Sequence, residues 1–169
     1  FPTPPEKRIE VFYALAAGVK GLSYWWYTPS DKGEKSAYGV GAAVQDGDPA
    51  AAALYREIAL LGAEVRTVDP LLVKSCPAEV PVEAKGAVWT RTLLAGMDSL
   101  VLLVVNDRYT NHDKGTDIKP GEKAAASVGM PAWLKATEVF EVTSQGTGDV
   151  KWTSAGTQVQ LDLGKVDVT

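Results

Sequence analysis

Few residues of this chain have the types and the spacing that catalysis or metal binding requires. The single cysteine, Cys76, excludes a Cys-rich zinc site, and the single histidine, His112, excludes a multi-histidine metal site. A nucleophile–base–orienter triad would need a serine close to His112, and nothing in the sequence places one there. The polar segment 106–117 offers several oxygen ligands, but their spacing fits no EF-hand, which favours a solvated loop. We therefore predict no catalytic set, no metal site and no cofactor within these residues.

The residues best suited to contacting a ligand are the aromatic ones of the run Leu22–Tyr27. The run has strand propensity, and side chains alternate along a strand, so Trp25 and Tyr27 share one face while Trp26 points to the other. Their flat rings can stack on apolar surfaces, and their N–H and O–H groups can reach polar atoms. Aromatic side chains on a buried strand more often form core, and that interpretation stays open here.

Length, charge and hydropathy restrict the classes of protein to which the chain can belong. Its 169 residues correspond to one domain or slightly more. The 17 basic and 21 acidic side chains give a net charge of −4, which argues against a nucleic-acid partner. The sequence has no run of about 18 apolar residues, so no membrane-spanning segment is predicted. It opens at Phe1 with no visible signal peptide, which indicates a mature product, a trimmed chain or a fragment.

Two helices are predicted in the first part of the chain, one on each side of the aromatic run. The first begins at the capping sequence Thr3-Pro4-Pro5-Glu6 and ends near Gly18. The second begins at Asp48-Pro49, carries one apolar stripe over roughly 20 residues and stops at Asp69-Pro70. Residues 28–48 are rich in glycine, serine, aspartate and lysine and are predicted to form a long loop.

The composition changes at Pro70, after which valine, threonine and leucine dominate. Turn signals then recur every 8 to 12 residues or so, roughly the spacing of an antiparallel sandwich or barrel. Residues 145–149 are predicted to form a turn, and residues 165–169 look like the approach to another strand. The predicted strands are Ala87–Ala95, Ser99–Asn106, Ala124–Val128, Lys135–Thr143, Val150–Thr153 and Thr157–Leu163.

A single strand at Leu22–Tyr27, between two helices, would have no hydrogen-bond partner on either edge. A helix–strand–helix unit is the building block of an α/β barrel or a layered sheet, in which neighbouring strands supply those partners. We expect the missing neighbours to precede Phe1. The alternative is that the strand joins the edge of the C-terminal sheet.

A group of segments in the first part of the chain forms a pattern seen in one enzyme family, namely Pro5-Glu6, Arg8, Tyr13–Tyr27, Leu54–Ile58 and Leu61–Glu64. Together they resemble the end of a (β/α)8-barrel glycoside hydrolase. The resemblance implies an α/β barrel fragment (helix–strand–helix) followed by an all-β antiparallel sandwich domain. Residues 1–69 would be barrel helix 7, strand 8 and helix 8, and residues 70–169 would be a C-terminal β-sandwich truncated at its last strand.

The resemblance also implies a function for the parent protein. Such enzymes hydrolyse poly- or oligosaccharides with two carboxylates, an acid/base and a nucleophile, on barrel strands four and seven. Neither strand is present here, so the catalytic residues would lie outside this chain, and the chain alone is expected to be inactive. In related hydrolases a tryptophan that ends strand eight forms the floor of the sugar site. By resemblance that residue is Trp25, with Trp26 as its competitor and Tyr27 as a further substrate-binding candidate.

The implied partners are a carbohydrate and the remainder of the parent barrel, and the implied location is extracellular or periplasmic. Four acidic residues of the long loop are candidates for a supporting role in the site, namely Asp31, Glu34, Asp46 and Asp48.

An alternative function is that of a non-catalytic carbohydrate-binding or structural β-sandwich module. Three tryptophans, Trp89, Trp133 and Trp152, fall in the predicted β domain. An exposed coplanar pair among them would favour a sugar-binding platform, whereas packing between sheets is the commoner use of tryptophan.

Overall fold

The computed structural model describes residues 1–24, 39–113, 115–143 and 145–168. Within them, all three helices precede the first strand, and they are α1 (Pro4–Ala16), α2 (Val40–Gln45) and α3 (Pro49–Leu72). The β-rich, antiparallel character predicted for the second part of the chain is confirmed. The strands are β1 (Ser75–Ala78), β2 (Val82–Lys85), β3 (Val88–Ala95), β4 (Ser99–Asn106), β5 (Tyr109–His112), β6 (Gly115–Ile118), β7 (Lys123–Gly129), β8 (Phe140–Thr143), β9 (Gly146–Asp149), β10 (Lys151–Ala155) and β11 (Gln158–Lys165).

Helix α1 begins and ends where its capping residues predict. The Thr3 hydroxyl accepts a hydrogen bond from the backbone N–H of Glu6, and the Glu6 carboxylate accepts one from the Thr3 N–H at 2.6 Å. At the other end Gly18 has a φ of +89° and donates to the carbonyl of Leu15 at 2.8 Å. A Cβ on Gly18 would lie 2.8 Å from Cδ of Pro77, so the glycine also lets this helix end pack closely on β1.

Helix α3 is longer than predicted. Its N-terminus is capped by Asp48, whose carboxylate accepts from the N–H of Ala50 at 2.8 Å. The predicted stop at Pro70 is wrong, because the helix continues to Leu72. Proline removes one backbone donor and crowds the carbonyl four residues earlier, so Pro70 costs one helical hydrogen bond, but only two helical residues follow it. The side chain of Leu72 is 6% exposed, and its burial in the core favours the extra residues.

The long loop predicted for residues 28–48 contains helix α2, which corrects that prediction. Val40 and Ala43 of α2 pack against Ala51 and Leu54 at the start of α3. A helix this short gains its stability from such packing rather than from the propensities of its own residues, and so sequence signals for a loop were overridden. Residues 28–38 of the predicted loop lie outside the described residues.

Two sheets of the β region lie face to face. The central sheet has the strand order β1-β3-β4, and the outer sheet has the order β10-β11-β7-β2. Leu100 and Leu102 of β4 belong to the same apolar cluster as Ala126 and Val128 of β7. The side chains of alternate β4 residues therefore fill the space between the two sheets.

The opposite face of the central sheet lies against the helices. Leu93 of β3 and Leu103 of β4 form one cluster with Leu15 of α1 and Leu61 of α3. Strand β4 is thus covered on both faces. Such a strand needs apolar side chains on both sides, which explains the uninterrupted apolar run Leu100–Val105.

Three other segments differ from the predictions. Only β8 forms within the strand predicted at Lys135–Thr143, because Ala136 and Val139 pack on the cluster between the sheets instead of joining a ladder. The turn predicted at 145–149 is mostly β9, which pairs with β8. The polar segment predicted as a solvated loop forms the hairpin of β5 and β6. Cross-strand hydrogen bonds between backbones leave little trace in a polar sequence, and β5, β6 and β9 lack the apolar–polar alternation that β8 has.

Two glycine-to-alanine substitutions should change stability in opposite directions. A Cβ on Gly121 would lie 1.6 Å from the carbonyl oxygen of Val166, so the two backbones would have to separate. We expect Gly121→Ala to lower the free energy of unfolding by more than about 3 kcal/mol. A Cβ on Gly62 meets nothing within 4 Å, and Gly62→Ala should raise the stability of α3 by about 0.5–1 kcal/mol. Urea unfolding of both variants measures the difference, and a Gly121→Ala protein as stable as the parent would contradict the close backbone contact.

Candidate functional site

The described chain reaches Tyr24, just before the residues that are predicted to bind substrate. Leu22–Tyr24, the first three residues of the predicted strand, pairs with no strand among the described residues. Five of the predicted site residues lie outside the described residues, namely Trp25, Trp26, Tyr27, Asp31 and Glu34.

Lys20 fixes the chain just before the aromatic run. Its ammonium donates to the carbonyl of Leu72 at 2.7 Å, to the carbonyl of Ser75 and to the Ser75 hydroxyl at 3.2 Å. The last carbonyls of a helix lack intrahelical donors and carry partial negative charge, so a cation is favourable there. The contact holds the start of the aromatic run at the C-terminal end of α3.

Arg8 links α1 to α3 through two carboxylates. Its guanidinium donates to both oxygens of Glu64, at 2.7 and 2.9 Å, and its Nε donates to Glu57 at 2.7 Å. Burial alone would lower the pKa of Arg8, but the hydrogen bonds and charges of Glu64 and Glu57 outweigh it and raise that pKa above its usual value. Both carboxylates are bound to the same cation, and this arrangement serves helix packing rather than acid–base catalysis.

The contacts of Arg8 and Lys20 also establish the relative direction of the two helices. Arg8, in the first half of α1, contacts the middle of α3, whereas Lys20, just beyond α1, contacts Leu72 at the end of α3. Helices α1 and α3 therefore run parallel. Two parallel neighbours can be joined only if the chain returns along their length.

The ends of that return are both described. Gly21, Leu22 and Tyr24 lie beside Leu72 at the C-terminal end of α3. Helix α2 lies against Ala51 and Leu54 at the N-terminal end. Tyr24 and Gly39 thus lie at opposite ends of a 24-residue helix. Such a helix is about 36 Å long at 1.5 Å per residue.

An apolar groove between the two helices borders the start of this return. Leu15 and Leu22 line it together with Val65 of α3 and the side chain of Tyr24, which is 38% exposed. Burial raises the pKa of the Tyr24 phenol. The groove can therefore hold an apolar surface. It has no carboxylate pair of its own, since Asp69 is the one acidic residue among the described side chains that line it.

A second group of contacts holds the β5–β6 hairpin on α1. The hydroxyls of Tyr13 and Tyr109 are 3.0 Å apart, and the Tyr13 ring lies 4.6 Å from the ring of Trp89. Burial is the largest cause of a raised pKa for Tyr13, and its hydrogen bond to Tyr109 adds to it. Tyr13 therefore stays protonated at neutral pH and acts as a hydrogen-bonding anchor.

Glu6 provides the other anchor of the hairpin. Besides its part in the cap of α1, its carboxylate accepts a hydrogen bond from the backbone N–H of Thr116 at 2.7 Å. The hydrogen bonds from Thr3, followed by those from Thr116, lower the pKa of Glu6 below its ordinary value. One carboxylate thus joins the first turn of α1 to β6.

The three tryptophans of the β region do not form one platform. Trp89 packs with the cluster between the helices and the central sheet, whereas Trp152 packs with the cluster between the two sheets. These clusters lie on opposite faces of the central sheet. Trp133 is 56% exposed on the segment between β7 and β8.

The remaining acidic candidates of the long loop have local roles or no assigned one. Asp48 is the N-cap of α3, and Asp46 follows the last turn of α2.

Within the described residues no three metal-binding side chains of the His, Cys, Asp or Glu type come together. The described helices include none with the length and apolarity needed to cross a membrane.

The sequence contained a weak signal for the Arg8 cluster. Glu57 and Glu64 are seven residues apart, which places them on one face of a helix beside Leu54 and Leu61. Acidic residues within an apolar stripe need a buried cation as partner. The sequence does not say which cation, because Arg8 is 56 residues away from Glu64.

Comparisons with family models, with curated proteins and with solved structures found no match to this chain. A functional conclusion therefore has to come from the residues and their geometry.

Removing the Arg8 side chain should lower the free energy of unfolding far more than breaking an exposed ion pair does. In Arg8→Ala, Glu64 keeps a carboxylate that is 6% exposed but has no cation, and we expect a loss of about 2–4 kcal/mol in the free energy of unfolding. The control, Glu10→Gln, breaks the pair between Lys7 and the exposed Glu10 and should cost about 0–1 kcal/mol. The double variant Arg8→Met/Glu64→Leu should recover much of the loss. Denaturant unfolding in which Arg8→Ala is no worse than Glu10→Gln would exclude the proposed role.

The contribution of Glu6 should depend on pH. Because its pKa is lowered in the folded protein, the stabilisation is fully present above the ordinary value of 4.5 and is lost as the pH falls through the lowered value. Thermal unfolding of Glu6→Gln and the parent should therefore differ most near pH 7 and converge well below pH 4.5. A stability difference that stays constant from neutral to acid pH would show that the Glu6 charge does not hold the hairpin.

Proposed function

We propose that the chain is the C-terminal portion of a glycoside hydrolase that acts on poly- or oligosaccharides. Residues 1–69 supply the last unit of a (β/α)8 barrel, and residues 70–169 form an ancillary β domain. The reaction is the retaining double displacement, carried out by two carboxylates outside this chain. A secreted or periplasmic location is part of the same proposal.

The parallel packing of α1 and α3 is the observation that carries the proposal. In a (β/α)8 barrel, consecutive helices run parallel around the outside, and the strand between them runs in the opposite direction. The described ends are compatible with that arrangement, since Lys20 lies at the C-terminal end of α3 and α2 packs against Ala51 and Leu54 near its N-terminal end. An antiparallel helical hairpin, which is the usual product of two helices joined by a short loop, would give the opposite orientation.

The placement of the sugar-binding residues is part of the same proposal. Barrel active sites form at the C-terminal ends of the strands, which is the end where the helices begin. A strand of six residues spans roughly 20 Å, so the proposed strand that starts at Leu22 would carry Trp25, Trp26 and Tyr27 toward that end. Aromatic rings at this level can stack on the apolar face of a sugar.

The contact between the helices and the central sheet supports an ancillary role for the β domain. Leu93 and Leu103 of the sheet are buried against Leu15 of α1 and Leu61 of α3. The apolar groove beside Tyr24 is not covered by this sheet, and in the proposal the remaining barrel packs there. The β domain thus stabilises the last barrel unit from one side while the parent barrel completes it from the other.

Tryptophan substitutions in the full-length parent protein test the proposal. We expect Trp25→Ala to lower kcat/KM for oligosaccharide hydrolysis by about 10- to 100-fold, since loss of a stacking ring costs on the order of 1.5–3 kcal/mol. The matched control is Trp133→Ala, which removes an exposed tryptophan of the β domain and should change kcat/KM less than about 2-fold.

The same experiment has two outcomes that would contradict the proposal. One is a Trp25→Ala enzyme with unchanged kcat/KM, which would remove this residue from the sugar site. The other is glycosidase activity of the 169-residue chain by itself, which would mean that the catalytic carboxylates lie within it. Reducing-sugar release from a panel of oligosaccharides measures both.

A further inference from the structure

Strand β4 has a backbone edge that no described strand borders. Along its whole length it pairs with β3, from Val88 opposite Asn106 to Ala95 opposite Ser99. In the part of the chain that the structure describes, no strand pairs with its other edge. The N–H of Asn106 points to that open edge, because it donates to the carbonyl of Val168 at 2.8 Å.

The open edge presents a row of backbone groups. Successive residues of a strand direct their N–H and C=O groups alternately to the two sides. Because Asn106 faces the open edge, Val104, Leu102 and Leu100 face it as well. A further strand could therefore form ladder hydrogen bonds at three consecutive positions beyond the existing one.

An edge of this composition is unusual in a protein. Proteins protect exposed edges with lysine, proline, bulges or a covering segment, since an apolar edge pairs readily with other chains. The sequence of β4, Ser99–Asn106, contains no charged residue, proline or glycine. Leu103 is 6% exposed and Val105 is fully buried, so β4 has the character of an interior strand rather than an edge strand.

The chain after β11 already leads to this edge. Val166 is 8% exposed, and the fully buried Asn106 donates from its side-chain amide to the carbonyl of Asp167 at 2.7 Å. The next residue, Val168, then accepts the backbone hydrogen bond from Asn106. Val168 lies at the Asn106 end of β4, so a segment that continues along the edge runs toward Ser99 and is antiparallel to β4.

We propose that the open edge of β4 is the docking site for one further strand of the same polypeptide, which directly follows Val168. The hydrogen bond between Asn106 and Val168 is the first of its ladder. In this register the second, fourth and sixth residues after Val168 pair with Val104, Leu102 and Leu100. The central sheet then has the order β1-β3-β4 plus this strand, and its side chains alternate between the helices and the outer sheet. The proposal is independent of the glycosidase function.

Hydrogen exchange of three amides tests the proposal. The 169-residue chain is compared with a version that carries six added residues, Val and Thr in alternation, directly after Thr169. We expect the extension to slow the exchange of the Val104 and Leu102 amides, and of the Leu100 amide, at least about tenfold. The matched control places proline at the first and third added positions, which removes the donors that face β4, and it should leave the exchange unchanged.

A second measurement uses the natural full-length protein. There the amides of Leu100, Leu102 and Val104 should exchange as slowly as those of Val101 and Leu103, which pair with β3. Fast exchange at the first three would overturn the proposal, and so would an extension that protects no more than its proline control. Protection of these amides that rises with the concentration of the 169-residue chain would also overturn it, because a second copy would then be the occupant.

Discussion

Burial of the central sheet on both faces is the constraint on which the rest of this fold depends. Leu93 and Leu103 point toward the helices, and Leu100 and Leu102 point toward the outer sheet. These side chains alternate between the two faces of the central sheet. Removal of either the helices or the outer sheet would therefore expose half of the apolar side chains of β4. At about 25 cal/mol per Å² of buried apolar surface, the burial that each layer provides contributes on the order of several kcal/mol to the free energy of unfolding. The helices and the outer sheet are thus coupled through β3 and β4, although they belong to different segments of the chain.

Apolar burial has no direction, so it does not by itself decide whether α1 and α3 pack parallel or antiparallel. Charged groups with fixed geometry do. Arg8 must meet Glu57 and Glu64, and Lys20 must reach Leu72, and only a parallel pair satisfies both sets of contacts. A buried ion pair adds little net stability, but a wrong packing that leaves Glu64 buried without a cation is costly. The polar contacts therefore select the orientation.

Local signals in the sequence were sufficient for much of the fold. The caps at Thr3 and Asp48 and the strand pair at 88–95 and 99–106 depend on residues close in sequence, and these predictions agree with the structure to within a residue or two. Three of the errors share a cause, since α2, the last turn of α3 and the segment 135–139 are determined by packing against other elements. The Arg8 cluster could not be found for the same reason. Of the site itself, Trp25, Trp26 and Tyr27 remain predictions, because they lie outside the described residues.

The attachment of the β domain to α1 bears on how such a domain would act in the proposed enzyme. It contacts α1 at both ends, with Pro77 against Gly18 at the C-terminal end and Thr116 bound to Glu6 in the first turn. In a (β/α)8 barrel the helices begin on the side where the active site lies. In the proposed enzyme the β5–β6 hairpin would therefore lie on the substrate side of the barrel, and β1 on the opposite side. Because Tyr13 and Glu6 of α1 both bind the hairpin, its position follows that of the helix, and in the proposal Asn111 and His112 are the polar residues of the hairpin that would lie nearest to a bound oligosaccharide.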